Sequence, residues 1–342
     1  MSEMKAVIFK ETGKYEVTTR PIPKITKADE VLLKIEAASI CGTDVHILHD
    51  PPGAPATIGA ILGHELVGEV IEVGSGVSSL KVGDRVVCDP NVPCGNCHMC
   101  RTGSPNVCEN VETVGIDVDG GFAQYGIVPE RALQIIPQDL DVDTAVFAEP
   151  VNCVMGAMNK IRLLPGENAL VMGAGPIGLY FTALLKANGA SKVLVSEVSD
   201  FRSPYALTMG ADRVINPKTE NLEEEVKKET NGRGVDVVID AVGVLLPDCL
   251  KCVRRAGKIL LFGQNYAVQQ TLYQNDITRN GLTLYGNYVG LFTMPTTIEL
   301  LASGIIDFQK IITHRITLDE FGVGMQAMNE GKGLEVVIYP NK

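Results

Sequence analysis

The segment from residue 169 to residue 187 constrains the fold of this chain more than any other. Residues 169–172 form an apolar run typical of a buried strand, and residues 177–187 have helical spacing. The turn between them places glycine at 173, 175 and 178. A strand that passes through glycines at this spacing into a helix is typical of a dinucleotide-binding unit in a doubly wound fold.

Each glycine of this turn has its own physical role. Gly173 permits the tight turn, Gly175 lets the backbone approach a pyrophosphate, and Gly178 lets the helix lie close to the sheet. The start of the helix offers unpaired N–H groups and a partial positive charge to the phosphates. We therefore expect a dinucleotide cofactor here, with contacts from Gly173, Gly175, Pro176, Ile177 and Gly178.

The end of the next strand indicates which dinucleotide binds. Glu197 follows an apolar run at 192–196 and stands nineteen positions after Gly178. A carboxylate at this place accepts hydrogen bonds from the ribose hydroxyls and repels a 2′-phosphate, which favours NAD over NADP. Arg202 is a further candidate contact to the cofactor, and its positive charge keeps NADP open as an alternative.

Two sequence rhythms divide the chain, whose 342 residues correspond to about two domains. Up to about residue 150, short apolar runs are interrupted by glycine and proline about every ten residues, which predicts a curled β-rich unit. From residue 169, strands alternate with helices, which predicts an α/β domain with a parallel sheet. The last part of the chain predicts a short strand at Arg315 to Leu318 and a final strand at Glu335 to Tyr339.

Composition and charge exclude several classes of protein. A chain with 45% hydrophobic and 21% charged residues is typical of folded globular proteins. Its net charge of −11 and lack of a basic stripe argue against nucleic acid as a partner. No apolar run approaches the ~18 residues that a transmembrane helix needs, so no membrane partner is expected. The first ten residues show no signal-peptide pattern, and we expect a cytoplasmic protein.

Four cysteines lie within one fifteen-residue segment, at spacings of three, three and eight. Glycine, asparagine and proline between them allow the chain to wrap around a point. Four converging thiolates satisfy a tetrahedral zinc, and a site closed by four protein ligands has a structural role. The expected ligands are Cys94, Cys97, Cys100 and Cys108.

A second set of metal-binding residue types is scattered along the chain. Cys41 opens a motif that runs to His46, His64 and Glu65 are adjacent, and Glu149 precedes Pro150. A catalytic zinc takes about three ligands from sulfur, imidazole and carboxylate, and keeps one position open. Each of these residues alone is weak support for a site, but their occurrence together with a cofactor turn favours one.

The 41–46 motif, the Gly63-His64-Glu65 triplet, the four-cysteine segment and the 173–178 turn together resemble the zinc-containing medium-chain dehydrogenases. All four features occur in the order of that family, over nearly the full chain. The resemblance implies a GroES-like, β-rich catalytic domain at 1–150 with a structural zinc lobe at about 90–110. It further implies an NAD-binding Rossmann domain at 151–288 and a return to the catalytic domain at 289–342.

The resemblance also implies a ligand set for a catalytic zinc. Cys41 and His64 match two zinc ligands of the family. Glu65 matches a carboxylate that ligates the zinc or swings onto it. Glu149, followed by Pro150, matches the polyol dehydrogenase branch, in which this glutamate contacts zinc directly or through its water. Which of Glu65 and Glu149 is the direct third ligand stays open.

Further site residues follow from the same resemblance. Thr43 matches the hydroxyl that hydrogen-bonds the substrate alcohol, and His46 matches the imidazole that ends a proton relay to solvent. The substrate pocket is expected among residues 43–50, 113–121 and 266–274. One departure is Glu335, which stands where the family usually has a lysine or arginine that reaches the pyrophosphate. Lys332 is a nearby substitute.

These observations predict a zinc-dependent oxidoreductase with two zinc ions per chain. It would transfer a hydride from a secondary alcohol of a polyol or sugar alcohol to NAD and release the ketone. Glu149 with Pro150, and Gly42, favour the polyol branch, while a phosphorylated substrate stays open. An enzyme like L-threonine 3-dehydrogenase is the alternative. A non-catalytic nucleotide-binding relative is a distant one, since every ligand and relay residue is present. The resemblance implies a homodimer or homotetramer.

Overall fold

The chain divides into two compact units, and the computed structural model describes residues 3–265 and 267–342. The first unit comprises Met1–Asn152 and Leu291–Lys342, and the second comprises Cys153–Gly290. The chain therefore leaves the first unit once and returns to it for its last fifty or so residues.

The described strands of both units differ widely in length, from two residues in β6 and β7 to ten in β3. In chain order the described strands are β1 (Glu3–Glu11), β2 (Lys14–Pro21), β3 (Glu30–Ser39), β4 (Glu65–Val73), β5 (Arg85–Cys88), β6 (Asn91–Val92), β7 (Glu112–Thr113), β8 (Tyr125–Pro129), β9 (Leu133–Ile135), β10 (Asn168–Met172), β11 (Lys192–Ser196), β12 (Arg213–Ile215), β13 (Val235–Asp240), β14 (Val253–Leu261), β15 (Thr283–Gly286), β16 (Ile312–Ile316) and β17 (Glu335–Ile338).

Helices connect these strands, mainly in the second half of the chain. The described α-helices are α1 (Gly42–Ile47), α2 (His98–Arg101), α3 (Val142–Ala145), α4 (Ala148–Ile161), α5 (Pro176–Ala187), α6 (Ser203–Thr208), α7 (Leu222–Glu229), α8 (Leu246–Cys252), α9 (Gln274–Thr278), α10 (Met294–Ser303) and α11 (Phe321–Asn329). Short 3₁₀ turns occur at Pro105–Val107, Glu130–Ala132, Phe308–Ile311 and Leu318–Glu320. In the part of the chain that the structure describes, no helix combines the length and apolarity needed to cross a bilayer.

The first unit is built on a seven-stranded sheet. Its strands run in the order β16-β17-β3-β4-β5-β9, with β8 also paired to β3. Strand β3 lies at its centre and is buried along most of its length, because it pairs with neighbours on both sides. The core is closed by Phe122, whose ring lies 5.2 Å from that of Phe321. The predicted β-rich class of this unit is confirmed, and the sheet fixes where the loops after β3 and before β4 meet.

The second unit has a six-stranded parallel sheet in the order β12-β11-β10-β13-β14-β15. Four of the five residues of β10 are buried, as expected of a central parallel strand covered on both faces. The chain order reverses beside β10, since β11 lies on one side and β13 on the other. Ligands of doubly wound folds bind outside the carboxyl ends of the strands at such a switch point. The predicted Rossmann class is confirmed.

The late strand of the first unit differs from its prediction. We expected it at Arg315 to Leu318, but β16 ends at Ile316 and begins at Ile312. Thr317 and Glu320 form a capping box, which starts a 3₁₀ turn at Leu318 and ends the strand. His314, which the sequence placed before the strand, therefore lies within it.

Candidate metal centres and cofactor site

The predicted catalytic zinc residues come together because two antiparallel strands end side by side. Cys41 lies just beyond β3, and Glu65 begins β4. The register places Ser39 opposite Glu65, and the Ser39 hydroxyl donates to the Glu65 carboxylate. Ligand atoms of Cys41, His64 and Glu65 lie within 4.8 Å of one another. We call these three residues the catalytic set.

A buried aspartate holds the two loops of the catalytic set. Asp44 Oδ2 accepts the Cys41 N–H at 2.9 Å, and the same carboxylate accepts the Gly63 N–H. Its Oδ1 lies 3.7 Å from His64 Nδ1, and neither of these two buried atoms has a hydrogen-bond partner among the described residues. Metal-binding histidines usually turn their second ring nitrogen toward such a carboxylate. The pair therefore fits a histidine whose other nitrogen faces a metal.

The catalytic set is electrostatically unfavourable without a cation. Burial raises the pKa of the Cys41 thiol to about 12, and the charges of Asp44 and Glu149 contribute to that rise. Burial also raises the pKa of Glu65 well above its ordinary value, with further contributions from Cys41, Glu335 and Glu149. A sulfur, an imidazole and a carboxylate crowded at one buried point are the donors that zinc prefers. The residues therefore fit a zinc ion.

Glu149 lies close to the catalytic set without belonging to its compact core. It is buried in the first turn of α4, with 7% of its surface exposed. Burial lowers the pKa of His64, but the charges of Asp44, Glu149 and Glu65 outweigh it and raise that pKa. Glu149 therefore acts electrostatically on every residue of the catalytic set, while its own oxygens are not part of the 4.8 Å group.

The two predicted relay residues lie on the short helix α1. The Thr43 side chain is half-buried, and its Oγ1 lies 3.7 Å from Cys41 Sγ. His46 is exposed three residues later, which places it on the same side of the helix one turn on. A hydroxyl beside the catalytic set is thus followed by an imidazole at the surface.

Three glycines fix the backbone before His64, and the sequence did not single out two of them. Gly63 has φ +95°, and a Cβ on it would lie 2.5 Å from the Phe122 ring. A Cβ on Gly115 or Gly120 would lie 2.4 or 2.3 Å from the Gly63 carbonyl oxygen. In the sequence, a glycine next to a ligand and a glycine-rich stretch at 115–121 were the features that could have indicated this packing. Of the expected pocket segments, 113–121 thus lies beside the catalytic set, and Tyr266 is outside the described residues.

The second candidate metal centre is a surface segment that we call the cysteine lobe, residues 94–108. Its four cysteine sulfurs lie within 4.8 Å of one another. The lobe turns at Gly95 and Gly103, which have φ +75° and +87°, and contains α2 and the 3₁₀ turn Pro105–Val107. The side chain of His98 is exposed on α2 and does not belong to the group. The ligand atoms are those of Cys94, Cys97, Cys100 and Cys108.

Backbone N–H groups prepare the sulfurs of this lobe for a metal. The N–H groups of Asn96 and Cys97 lower the pKa of Cys94 to about 6. Cys108 Sγ accepts N–H groups from Cys94 and Asn110, each at 3.3 Å. Burial and the neighbouring Cys97 and Cys108 raise the pKa of Cys100 to about 12, so a cation is needed to hold all four sulfurs as thiolates. Four such donors fit a closed, tetrahedral zinc site.

The predicted cofactor turn has the geometry that a pyrophosphate requires. β10 ends at Met172, and Gly175 caps helix α5, which begins at Pro176. Gly173 has φ +96°, and a Cβ on Gly178 would lie 2.0 Å from the Gly173 carbonyl oxygen. The glycines therefore allow both the turn and the close approach of helix to strand. Ile177 follows Pro176 in the first turn of α5, where backbone N–H groups lack helical partners.

Glu197 and Arg202 both lie beside this turn. Glu197 is 5% exposed; its Oε2 accepts the Ala174 N–H at 2.6 Å, and its Oε1 accepts those of Val198 and Ser199. Arg202 Nη1 lies 3.7 Å from where a Cβ on Gly175 would be, and its buried Nε has no hydrogen-bond partner. A cation, bare N–H groups and an open glycine backbone fit the phosphates of a dinucleotide.

Glu335 differs from the basic residue expected at its position. It is the first residue of β17, is 3% exposed, and lies close enough to Glu65 to raise the pKa of that residue. Lys332 is exposed, and its Nζ forms an ion pair with Glu330 at 2.8 Å. The structure therefore places Glu335 near the catalytic set within the first unit.

Comparison with protein families agrees with both halves of this description. Residues 27–138 match the family described as alcohol dehydrogenase GroES-like domain. Residues 176–303 match the family described as zinc-binding dehydrogenase. The first match covers the catalytic set and the cysteine lobe. The second covers most of the second unit.

Individual relatives match along nearly the whole chain. The sorbitol dehydrogenase of Bacillus subtilis is 36% identical over 99% of this chain and 98% of its own. The L-threonine 3-dehydrogenase of Pyrococcus abyssi is 38% identical over 98% of this chain and 99% of its own. A zinc-binding dehydrogenase structure from Sinorhizobium meliloti, bound to NADP, superposes with a TM-score of 0.94 at 31% identity, covering 99% of this chain and 100% of that one.

These similarities extend over both units. They support a zinc-dependent alcohol oxidoreductase that uses a nicotinamide cofactor. The chain belongs to the zinc-containing medium-chain dehydrogenases, in the branch of the polyol and threonine dehydrogenases.

Proposed function

We propose that this enzyme oxidises a secondary alcohol of a polyol or sugar alcohol to the ketone, with NAD as hydride acceptor. The observation that carries the proposal is the buried catalytic set with Glu149 beside it. A thiolate, an imidazole and a carboxylate leave one tetrahedral position for a substrate oxygen. The polyol class is supported by Glu149 with Pro150 and by the similarity to a sorbitol dehydrogenase.

Two zinc ions per chain complete the proposed holoenzyme. Cys41, His64 and Glu65 would hold the catalytic ion, and the four cysteines of the lobe would hold a structural one. When bound, the catalytic zinc supplies a Lewis acid that lowers the pKa of an alcohol, and the nicotinamide supplies the hydride acceptor.

The chain's own residues then manage the proton of the alcohol. The Thr43 hydroxyl, beside Cys41, accepts that proton in a hydrogen bond, and His46 passes it to solvent from the exposed side of α1. Both residues belong to one helix that begins at a ligand, so their distance to the substrate oxygen is set together with the metal.

We assign different roles to the two carboxylates. Glu65 is held by Ser39 and belongs to the compact group, which favours it as the third ligand. Glu149 lies in the first turn of a helix and acts on all three ligands through its charge. It is therefore placed to act on the fourth position, where it would orient water or the substrate hydroxyl.

NAD is proposed over NADP because of Glu197. Its buried carboxylate lies at the end of β11 against the cofactor turn, where a 2′-phosphate would meet a negative charge. Arg202 would contact the phosphates that the turn binds. The Glu197→Ser variant should have a lower kcat/KM with NAD. The ratio of kcat/KM with NAD to kcat/KM with NADP should fall about tenfold or more. An unchanged preference would overturn the assignment.

The wider organisation is proposed along the same lines. Residues 1–150 with 289–342 would form the catalytic domain, and 151–288 the cofactor domain. Strand β15 lies at one edge of the six-stranded sheet, and a second copy could pair with that edge, which supports a homodimer or homotetramer. All nine cysteines lack disulfide bonds, which supports a cytoplasmic location.

Oxidation of an amino alcohol such as L-threonine is the second candidate function. It is favoured by the 38% identity with a threonine dehydrogenase. That relative covers nearly as much of this chain as the sorbitol dehydrogenase does. Both candidates use the same metal chemistry and differ only in the substrate that the pocket selects.

The appearance of reduced nicotinamide, followed by absorbance, separates the candidates. The zinc-loaded protein would be tested with polyols, polyol phosphates, threonine and simple alcohols, each with NAD and NADP. We expect the highest kcat/KM for a polyol with NAD, and loss of turnover after chelation. A preference for threonine would replace the substrate while retaining the mechanism. No turnover of any alcohol by protein that holds two zinc ions would contradict the proposed function.

A further inference from the structure

A chain of hydrogen-bonded polar side chains lies near Glu149 and has no part in the proposed mechanism. Asp89 follows strand β5, Asn152 lies on α4, and Thr293 precedes α10. Asn152 is 1% exposed and Thr293 is 4% exposed. Three residues separated by sixty or more positions are thus joined inside the first unit.

Each of these residues contacts the next. The Thr293 hydroxyl donates to Asn152 Oδ1 at 2.6 Å, and Asn152 Nδ2 donates to Asp89 Oδ2 at 3.5 Å. Asp89 is anchored in turn, because its N–H donates to the Ala132 carbonyl at 2.7 Å and its carboxylate accepts the Asn91 N–H. The amide of Asn152 is therefore held from both sides by fixed parts of the fold.

This chain meets helix α4 at the turn that carries Glu149. Asn152 stands three residues after Glu149, and residues at this spacing are neighbours on a helix surface. Burial and then the charge of Glu149 raise the pKa of Asp89 to about 6, so the two carboxylates are close enough to interact. The clamp on Asn152 therefore acts within one turn of the Glu149 carboxylate.

Glu149 needs such a restraint because it stands in the first turn of α4. The residue is 7% exposed, so a shift of that turn would move a buried carboxylate relative to the catalytic set. A group in an active site acts fully only when the residues behind it hold it close to its productive position. A bond from Asn152 to two different segments opposes that movement, whereas bonds within α4 alone would let the whole turn shift.

We propose that Thr293, Asn152 and Asp89 are positioning residues that hold Glu149 at the catalytic set. The inference rests on the proposed role of Glu149 and deepens it. Thr293 lies two residues after Leu291, where the chain returns to the first unit, so the start of the returning segment also supports the metal centre. These residues touch neither substrate nor metal and act through the placement of one carboxylate.

Thr293→Val is the main test, since it removes the hydroxyl and keeps the shape. We expect kcat of the zinc-loaded enzyme to fall about tenfold while the KM for NAD stays unchanged. Thr293→Ser restores the hydroxyl and should restore kcat. Thr297→Val is the matched control, because Thr297 is also buried and its hydroxyl donates at 2.9 Å to the Thr293 carbonyl, one helical turn earlier in the chain. Equal losses in both valine variants would overturn the proposal.

A spectroscopic readout separates positioning from a general loss of stability. With cobalt(II) in place of zinc at the catalytic set, Thr293→Val should shift the visible ligand-field bands, whereas Thr297→Val should leave them unchanged. Apparent unfolding temperatures of the two metal-free variants should be similar. Unchanged bands in Thr293→Val would contradict the proposal.

A double-mutant cycle identifies the residue through which the chain acts. In a Glu149→Gln background, Thr293→Val should change kcat less than twofold, because the carboxylate to be positioned is already gone. A full tenfold loss in that background would show that Thr293 acts elsewhere. If Glu149→Gln alone leaves kcat and the cobalt bands intact, the proposed role of Glu149 fails instead, so the two failures are distinguishable.

Discussion

The cysteine lobe and the catalytic set both gather metal donors, but they do so in opposite ways. The lobe takes all four sulfurs from one short segment near the surface, and glycine turns bring them together. The catalytic set takes its donors from two loops of a buried sheet, and the register of β3 with β4 brings them together. One site is therefore local in sequence, and the other depends on tertiary structure.

The two sites also treat the proton differently. In the lobe, backbone N–H groups lower the pKa values of Cys94 and Cys97, which favours their thiolates before any metal arrives, whereas burial and the neighbouring thiols raise that of Cys100. In the catalytic set, burial and neighbouring carboxylates raise the pKa values of Cys41 and Glu65, and the carboxylates raise that of His64 against the effect of its burial. Lowered pKa values favour the anionic form of the ligands, which suits a permanent structural metal. Raised pKa values disfavour that form, which suits a metal that must remain a strong Lewis acid.

Removing a ligand from the catalytic set should have the largest effect on activity. We expect His64→Ala to lower kcat/KM at least about a thousandfold, since the Lewis acid is lost. Because the fold of the lobe is independent of this loop, one zinc per chain should remain. Metal content by atomic emission and steady-state kinetics check both parts. Retention of two zinc ions per chain would break the proposed division between the sites.

A ligand of the lobe should instead control stability. Cys108→Ser removes the sulfur that accepts two backbone N–H groups, and loss of the structural metal should lower the free energy of unfolding by about 3 kcal/mol. His98→Ala is the matched control, because this side chain is exposed on α2 in the same lobe. Denaturant unfolding of both variants, with zinc content measured in parallel, tests the difference. Equal stability of the two variants would contradict a structural role for the metal.

The contrast explains which parts of the molecule the sequence could predict. The cysteine lobe and the cofactor turn are contiguous motifs, so spacing and turn residues alone indicate their geometry. The alternation of strands and helices from residue 169 likewise follows from local periodicity, and the Rossmann class is confirmed. The late strand was misplaced because its end depends on a capping box at Thr317 and Glu320, which competes with extension of the strand.

Contacts across the sheet were beyond local patterns. The bond from Ser39 to Glu65 exists only because antiparallel register places these residues opposite each other. The fit of Gly115 and Gly120 against Gly63 joins segments fifty residues apart through backbone contacts that leave no periodic signal. Glu335 stands where the resemblance implies a basic residue, and no local pattern indicates that β17 brings it near Glu65.

Asp44 tests how strongly tertiary support matters to the catalytic set. Asp44→Asn keeps the size of the side chain but removes the charge that faces His64 Nδ1 at 3.7 Å. Loss of such a carboxylate partner typically weakens metal binding about tenfold to a hundredfold. We expect that change in zinc affinity at the catalytic set alone, measured by competition with a chromophoric chelator. Asp29→Asn, at an exposed position, is the control; equal weakening at the lobe would show a general effect.

Acidification should release the two metals in order, and the sign follows from the pKa shifts. Ligands bind zinc in their deprotonated forms, so a raised pKa strengthens competition from protons and a lowered pKa weakens it. Cys41, with its pKa raised to about 12, and the raised pKa values of Glu65 and His64 therefore predict early release from the catalytic set as pH falls. In the lobe, the pKa values of Cys94 (about 6) and Cys97 are lowered, and that of Cys100 is raised to about 12 by burial and by the neighbouring thiols. Two ligands that resist protonation, against none in the catalytic set, predict later release from the lobe.

Zinc release between pH 8 and pH 5, followed with a chelating dye, should accordingly show two steps. Protein that has passed only the first step should regain turnover when it is returned to pH 7 with zinc, because that step empties a preformed site. Protein that has passed the second step should not regain turnover. The Cys108→Ser variant should show the first step alone. A single step in the wild-type chain, or release from the lobe first, would mean that the N–H groups around Cys94 do not set the order and that exposure to solvent does.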